Sequence, residues 1–322
     1  MKITFISRYQ GKVERGVENY VKELTSRLTS SGNEVEILSS FWQLLRNQKR
    51  PGLPAGERPG LKIIYPLNGY WQSFGCRIYS WVTGSKLVLG GHAGIGRDDR
   101  WNLYMFPDLF IAFSQKGFDW AKKVNPFVKI VKIPHGVNLE KFNPNVKPAK
   151  LNLERPIFIT VFGTLLPYKR IEETIKAVGK LKKGSLIVIG EQPEERTINE
   201  LGQKLLGSKR YLRLQTSHNE VAKYLRAADV FTLVSKSSEA FGLVYLEALA
   251  CNLPVVATDD SLRHELIGDA GLFIKNPEDS RDYARALERA AKIDWGDRPV
   301  KQAEKFGWEK IAVRYLEEFK GL

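Results

Sequence analysis

Two glutamates set eight residues apart, Glu239 and Glu247, are the densest chemical signal in the chain, within the run SKSSEAFGLVYLEALACNLPVVAT at 235–258. A helix starting near Phe241 would leave Glu239 in the loop at its N-terminus and put Glu247 on its second turn, both toward one cleft. A carboxylate there is mildly favoured by the amide dipole, and N–H groups beside Gly242 can approach an anionic ligand. The plain alternative is one capping and one surface glutamate. Against it stand Leu243, Val244, Leu246, Leu249 and Ala250, which wrap the helix in apolar surface and imply burial, where an idle carboxylate is costly.

A histidine is the next candidate. His92 follows the apolar run KLVLG, where a neutral imidazole can hydrogen-bond a hydroxyl or a developing charge. A bystander histidine is the ordinary alternative. His135, in IPHGVNLEKFNP, leads into a linker and is assigned no catalysis. The stretch LVLGGHAGIG imitates a dinucleotide fingerprint through Gly91, Gly94 and Gly96, but the RDDRWN that follows is too polar and bulky for a helix packed under a pyrophosphate. There is no Walker-type phosphate loop, no HExxH and no DxD between apolar strands, so nothing calls for a metal. Cys76 and Cys251 are too far apart in sequence for a disulfide framework or a CxxC site, which fits a reducing compartment.

The elements that must position these residues follow from patterning. Short apolar runs alternate with amphipathic stretches of helix length: ITFIS, VENYVKELTSRLTS, EVEILSS, LKIIYP, KLVLG, LFIAFS and KIVKIP. Such alternation predicts parallel strands with crossover helices. Val17, Tyr20, Val21, Leu24 and Leu28 predict a helix from about Val17 to Ser30, stopped at Gly32. The segment from Trp42 to Gly60, rich in Pro, Gly and Arg, is predicted to be an exposed loop. A second series starts near Pro156 with IFITVFG and runs through SLIVIG, YLRLQ, DVFTLVS, LPVVAT and GLFI. Two α/β domains are predicted, joined near FNPNVKPAKLNLERP, with a terminal helix, EKFGWEKIAVRYLEEF, that can fold back on the first. Open parallel sheets take ligands beyond the carboxyl ends of their strands, so the loops there are the place for chemistry.

Composition sets bounds. The 322 residues are 43% hydrophobic and 27% charged, an ordinary globular balance with length for a sizeable core. No apolar run reaches the roughly 18 residues needed to span a bilayer, and the N-terminus lacks a signal-like apolar region, so a cytoplasmic protein is expected. The net charge of +14 is uneven: residues 1–150 hold 23 Lys and Arg against 11 Asp and Glu. Trp42, Trp71, Trp81, Trp101 and Trp120 lie there too. Cationic and aromatic surface suits an anionic partner, a phospholipid face or a nucleic acid, and composition does not choose between them.

Glu239-Ala-Phe-Gly-Leu-Val-Tyr-Leu-Glu247-Ala, followed by Cys251-Asn252-Leu253-Pro254-Val255-Val256-Ala257, resembles the E-x7-E element of the retaining glycosyltransferases of family 4. Asn252 stands where glycine is usual, and it can adopt the left-handed conformation of a helix end. Gly163-Thr-Leu-Leu-Pro-Tyr-Lys169 resembles the family's G-R-x4-K, with Thr164 at the arginine position. Arg15-Gly16-Val17-Glu18 resembles G-G-x-E, with Arg15 for the first glycine. Glu265-Leu-Ile-Gly-Asp-Ala-Gly-Leu-Phe273 resembles E-I-I-G-D-A-G-L-F. Structural capping is expected for Asp259, Asp260, Arg263 and Glu265.

The resemblance implies a GT-B fold: two Rossmann-like domains with parallel sheets facing a central cleft, 1–148 binding the acceptor and 149–305 the nucleotide sugar, with helix 306–322 packed back on the first. It implies a metal-independent, retaining transfer without a cofactor. Glu239 would meet the donor sugar, Glu247 the ribose, and Lys169 the diphosphate, with His92 beside the transferring sugar. Gly16, Gly163, Thr164, Gly190, Glu191, Phe241, Gly242 and Leu243 would line the donor site. Arg15 is expected to supply the cation that Thr164 lacks, with Arg170 as a competitor. The expected partners are a nucleotide sugar, a glycan or lipid-linked acceptor and an anionic membrane surface at the inner face, and not nucleic acid. A sugar-nucleotide epimerase or hydrolase, and a non-catalytic nucleic-acid or membrane-binding protein on the same fold, are the alternatives.

Overall fold

The computed structural model describes all residues except 9–15, 48–61, 68, 93–94, 165, 192–194, 237–238 and 240, and describes 16–18, 164, 191 and 195–196 by backbone alone. The chain divides into two compact units, Met1–Gly136 with Trp308–Leu322, and Val137–Gly307.

In the first unit strands and helices alternate: β1 (Lys2–Ile6), α1 (Gly16–Ser30), β2 (Glu34–Leu38), α2 (Phe41–Asn47), β3 (Lys62–Pro66), α3 (Trp71–Thr83), β4 (Lys86–Gly90), α4 (Arg97–Tyr104), β5 (Leu109–Ala112), α5 (Gln115–Val124) and β6 (Ile130–Lys132). The six strands form one parallel sheet in the order β2-β1-β3-β4-β5-β6. Ile6, Ile64, Leu87, Leu89 and Phe110 on one face pack against Leu44, Cys76, Leu103 and Ala121 from the helices. The helix predicted over Val17–Ser30 buries Tyr20, Val21, Leu24 and Leu28, and Gly32 follows it at φ +79.

The segment predicted as a loop from Trp42 to Gly60 begins as helix α2, because Phe41 and Leu44, three apart, both reach the core. Residues 48–60 of that segment lie outside the described ones. Helix α3 buries Ser73, Cys76 and Ser80, and exposes Trp71, Phe74, Ile78, Trp81 and Val82.

The second unit carries β7 (Ile157–Thr164), α6 (Ile171–Gly179), β8 (Ser185–Glu191), α7 (Glu195–Leu206), β9 (Tyr211–Leu214), α8 (Val221–Ala227), β10 (Val230–Leu233), α9 (Leu243–Ala250), β11 (Val255–Thr258), α10 (Ser261–Ile267), β12 (Gly271–Ile274), α11 (Ser280–Lys292) and α12 (Arg298–Ala303). Its sheet is also parallel, in the order β12-β11-β10-β7-β8-β9. Buried on both faces, its inner strands read as unbroken apolar runs, with Phe158, Ile159, Ile187, Val230, Phe231 and Val255 fully enclosed.

The order of the second sheet is that of a dinucleotide-binding sheet, with the chain reversing direction between β7 and β10. In the first sheet the reversal lies between β1 and β3. Ligands of open parallel sheets bind outside the strand carboxyl ends at these crossings.

The chain ends in α13 (Trp308–Lys320), which belongs to the first unit. Tyr20 donates to Tyr315 at 2.8 Å and Arg27 pairs with Glu309 at 2.8 Å, tying α13 to α1. Gly136 meets this helix so closely that a Cβ would lie 2.4 Å from the Trp308 ring. The units divide after 136 rather than after 148. Residues 137–149 go with the second because Phe142 is buried beside His218 and the Ala149 N–H donates to the Lys223 carbonyl at 2.9 Å.

Candidate active site

The crossing between β7 and β10 is where the second unit concentrates its charge. Strand β7 ends at Thr164, in register with Glu191 at the end of β8. A single tight turn over Pro167–Lys169 and Arg170 at φ +53 then lead into α6. The Lys236 N–H donates to the Tyr168 carbonyl at 2.8 Å, so the loop after β7 is tied to the loop after β10.

Five side chains meet there. Glu239 is 8% exposed, and its Oε1 accepts from Lys169 Nζ. Its Oε2 accepts from Ser235 Oγ and, at 3.1 Å, from Arg263 Nη2. Arg263 is wholly buried and also donates to Ser235 Oγ at 2.8 Å and to Asp260 Oδ2 at 2.9 Å. Two cations and two carboxylates therefore neutralise one another, with Lys169, Glu239 and Arg263 buried and Asp260 at the edge, the condition under which such charges are tolerated. Asp260 also caps α10 by accepting from the Arg263 N–H at 3.1 Å. Capping is thus part of its work and pairing the rest; Arg263, expected only to cap, is the cation beneath Glu239.

Helix α9 starts at Leu243 rather than Phe241, because Gly242 turns the chain at φ +86 and a Cβ there would lie 2.6 Å from the Tyr245 ring. Tyr245 is fixed by donating to the Leu233 carbonyl at 2.8 Å. The helix is buried almost all round, as its composition requires, and ends in Asn252 at φ +57. Glu247 projects from it into a different group of partners. His218 Nε2 lies 2.7 Å from Glu247 Oε1, and Lys141 Nζ lies 2.6 Å from His218 Nδ1.

The remaining residues of the second unit divide. Gly163 and Gly190 close β7 and β8. A Cβ at Gly190 would lie 2.4 Å from the Phe162 ring, so packing demands glycine, whereas a Cβ at Gly163 would meet open space. Arg170 is drawn away to Glu278 at 3.1 Å.

In the first unit, His92 follows β4 with Nε2 3.4 Å from the Tyr65 hydroxyl, which in turn bonds Tyr20 at 3.0 Å. The rings of Tyr20 and Phe113 stand 5.0 and 4.8 Å from it. This burial lowers the His92 pKa to about 3, so the imidazole is neutral near pH 7. Gly90 leaves room for the pair, since a Cβ would lie 2.4 Å from the Tyr65 hydroxyl. Part of the His92 ring lines a cavity of about 620 Å³ beside the first crossing, with Arg8, Tyr70, Gln72, Asp98 and Asn102. Asp98 and Asp99 open α4. Two carboxylates at that terminus disfavour a pyrophosphate, which agrees with rejecting the glycine fingerprint. His135 is stacked on Phe113 at 4.0 Å, and burial holds its pKa well below the usual range. Gly16 begins α1, and Arg15 lies outside the described residues.

Sequence reasoning missed Arg263, Ser235, His218 and Lys141 as site residues. The Asp-x-x-Arg spacing of Asp260 and Arg263 was a usable signal for the first. Nothing local marks His218, which sits in a loop and meets Lys141 from 77 residues away. Among the described residues no cluster of His, Cys, Asp and Glu could hold a metal ion, and no helix is long and apolar enough to cross a membrane.

A family model described as "Glycosyl transferases group 1" matches residues 143–307. Among curated proteins, a "Probable sucrose-phosphate synthase" of Thermosipho melanesiensis is 32% identical over 199 residues, covering 58% of this chain and 46% of that protein. A D-inositol 3-phosphate glycosyltransferase of Paenarthrobacter aurescens is 31% identical over 210 residues, covering 58% and 50%. The chain spans about half the length of these curated relatives. Among solved structures, a sucrose-phosphate synthase of Thermosynechococcus elongatus aligns with a TM-score of 0.75 at 19% identity, covering 100% of this chain and 98% of that one. Anabaena HepE, in complex with UDP, aligns over the whole of both chains with a TM-score of 0.74 at 19% identity. The two six-stranded parallel units are those of the GT-B fold.

Proposed function

The chain belongs to the glycosyl transferases group 1, and from that membership we propose that it moves a glycosyl group from a nucleoside-diphosphate sugar to an acceptor hydroxyl, retaining the anomeric configuration without a metal ion. The observation that carries this reading is the buried Glu239 carboxylate at the β7/β10 crossing, held between Lys169 and Arg263. A buried ion pair of this kind is weak support for stability, and it makes sense as a charge kept ready for a ligand.

Lys169 is the partner proposed to exchange. An incoming diphosphate competes with Glu239 for its ammonium, while Arg263 and Ser235 keep the carboxylate in place to accept from a sugar hydroxyl. The open backbone at Gly163 and the first N–H groups of α9, beside Phe241, Gly242 and Leu243, add donors to the phosphates. Thr164, Gly190 and Glu191 border the same strand ends. Glu247 takes the ribose. Neutral His92 is assigned to the sugar hydroxyls. In the transfer the anomeric carbon's bond to the diphosphate oxygen breaks, and the acceptor oxygen bonds on the same face. The acceptor proton leaves with the diphosphate, so no protein base is needed. Catalysis then rests on positioning and on charges arranged in advance.

The proposed acceptor is a lipid-linked glycan at the inner membrane face. Helix α3 supports this, with Trp71, Trp81 and Val82 at 84%, 69% and 80% exposure on a basic unit. Exposed aromatic and aliphatic side chains near cations are the composition of a helix that lies in an anionic lipid interface.

The donor reading is tested by thermal shift with UDP, GDP, ADP and NAD on the wild type and on Glu247→Ala. UDP, the ligand of the HepE structure, is expected to stabilise the wild type alone. At about 100 times its Kd it adds roughly 2.7 kcal/mol. If no nucleoside diphosphate stabilises the protein, the reading falls and a non-catalytic binding protein takes its place.

A further inference from the structure

Glu247 is nearly buried, yet its two oxygens are treated differently. Oε1 is bonded to His218 at 2.7 Å, whereas Oε2 takes no hydrogen bond from any described residue. Behind His218 stands Lys141, 2.6 Å from Nδ1, on the segment that precedes β7. An ammonium has protons to give and no lone pair to accept with. His218 Nδ1 must therefore accept from Lys141, which leaves the proton of the neutral ring on Nε2, aimed at Glu247. Phe142 supports both members, its ring 5.4 Å from the imidazole and 5.2 Å from Lys141 Nζ.

We propose that Lys141 and His218 are positioning residues for nucleoside recognition: Lys141 fixes the Nε2–H tautomer of His218, and His218 pins one oxygen of Glu247 so that the other accepts from ribose hydroxyls. This rests on the donor reading given above. A carboxylate on a short helix swings among rotamers, and a hydrogen bond to one oxygen removes that freedom before the ligand arrives. The gain appears as affinity, because less order is lost on binding. The arrangement also explains why a loop residue without regular structure, His218, is held from two sides by elements far apart in the chain.

The test compares two amides. In His218→Gln the amide reaches the position of Nε2 and keeps the bond to Glu247; in His218→Asn it reaches only the position of Nδ1. Binding of UDP and of 2′,3′-dideoxyUDP is measured by calorimetry. His218→Asn is expected to weaken UDP roughly tenfold, the loss of one charge-assisted hydrogen bond. It should leave dideoxyUDP unchanged, and His218→Gln should stay within about threefold of the wild type on both. Equal losses for the two variants, or equal losses on the two ligands, overturn the proposal. A wild type that ignores UDP defeats the donor reading instead, and the relay is then decided without ligand. Long-range nitrogen–proton NMR of the free protein should show His218 with its proton on Nε2, and a mixture of tautomers in Lys141→Met. An Nδ1–H ring in the wild type ends the idea.

Discussion

Arg263 lies directly beneath Glu239: its Nη2 donates at 3.1 Å to the same carboxylate oxygen that Ser235 also bonds, and no part of Arg263 reaches solvent. Removing the arginine strips Asp260 of its ion-pair partner and leaves Glu239 with Lys169 as its remaining cation. Loss of one partner from a buried pair costs about 3–5 kcal/mol. Arg263→Met should therefore lower the stability of the second unit by that amount in urea denaturation and abolish glycosyl transfer. Arg263→Lys should recover part of each. A change below about 1 kcal/mol would show that the pairing is unimportant to the fold.

Lys169 sits on the other oxygen of the same carboxylate. If its function is to receive the diphosphate, Lys169→Ala should reduce affinity for UDP at least tenfold and leave affinity for uridine unchanged, because only the phosphates meet the ammonium. Arg15, proposed from the sequence to supply the cation that Thr164 lacks, should behave as a weaker version. Loss of affinity and turnover in Arg15→Ala by more than about twofold is the expected result. No change there, with both abolished in Lys169→Ala, would leave Lys169 as the sole cation of the phosphate site.

The exposed stripe on α3 gives a prediction with an internal control. Trp71→Ser with Trp81→Ser should remove the protein from floating vesicles that contain anionic lipid, while urea stability stays within about 0.5 kcal/mol, since both rings are exposed. Flotation of the double variant with the wild type would end the membrane assignment.

His92 predicts a pH dependence of definite sign. Its pKa falls from 6.5 to about 3 in the folded unit through burial among Tyr20, Tyr65 and Phe113. Between these values the unfolded chain binds the extra proton, so stability rises with pH. The contribution of His92 is complete above the unfolded value and is lost as pH falls toward about 3. His92→Phe should accordingly show a shallower loss of stability between about pH 6 and about pH 4 than the wild type. Parallel curves would mean that His92 titrates alike in both states.

Retention is checked on the product. The proton coupling at the new anomeric centre should match that of the donor sugar, and an inverted coupling would exclude same-face transfer.

Much of this molecule is written locally. The alternation of ITFIS, EVEIL and LKIIYP with helix-length stretches determined the strands of the first sheet, because short β-rich runs between amphipathic helices pair as parallel strands. The all-round apolar surface of 243–250 determined that α9 is buried and that Glu247 must find a partner inside. What periodicity cannot carry is which segment stands beside which. The strand order that brings the end of β7 against β10, and so Lys169 against Glu239 from 70 residues away, exists only in the folded sheet. The same holds for Arg263 and for the Lys141–His218–Glu247 relay, whose members lie on a linker, a loop and a helix. Helix α3 shows the limit from the other side. A pattern of apolar and small polar residues states that two faces differ, and only packing against β3 and β4 decided that Ser73, Cys76 and Ser80 turn inward. Small side chains let the helix approach the sheet closely, and the tryptophans are left facing water.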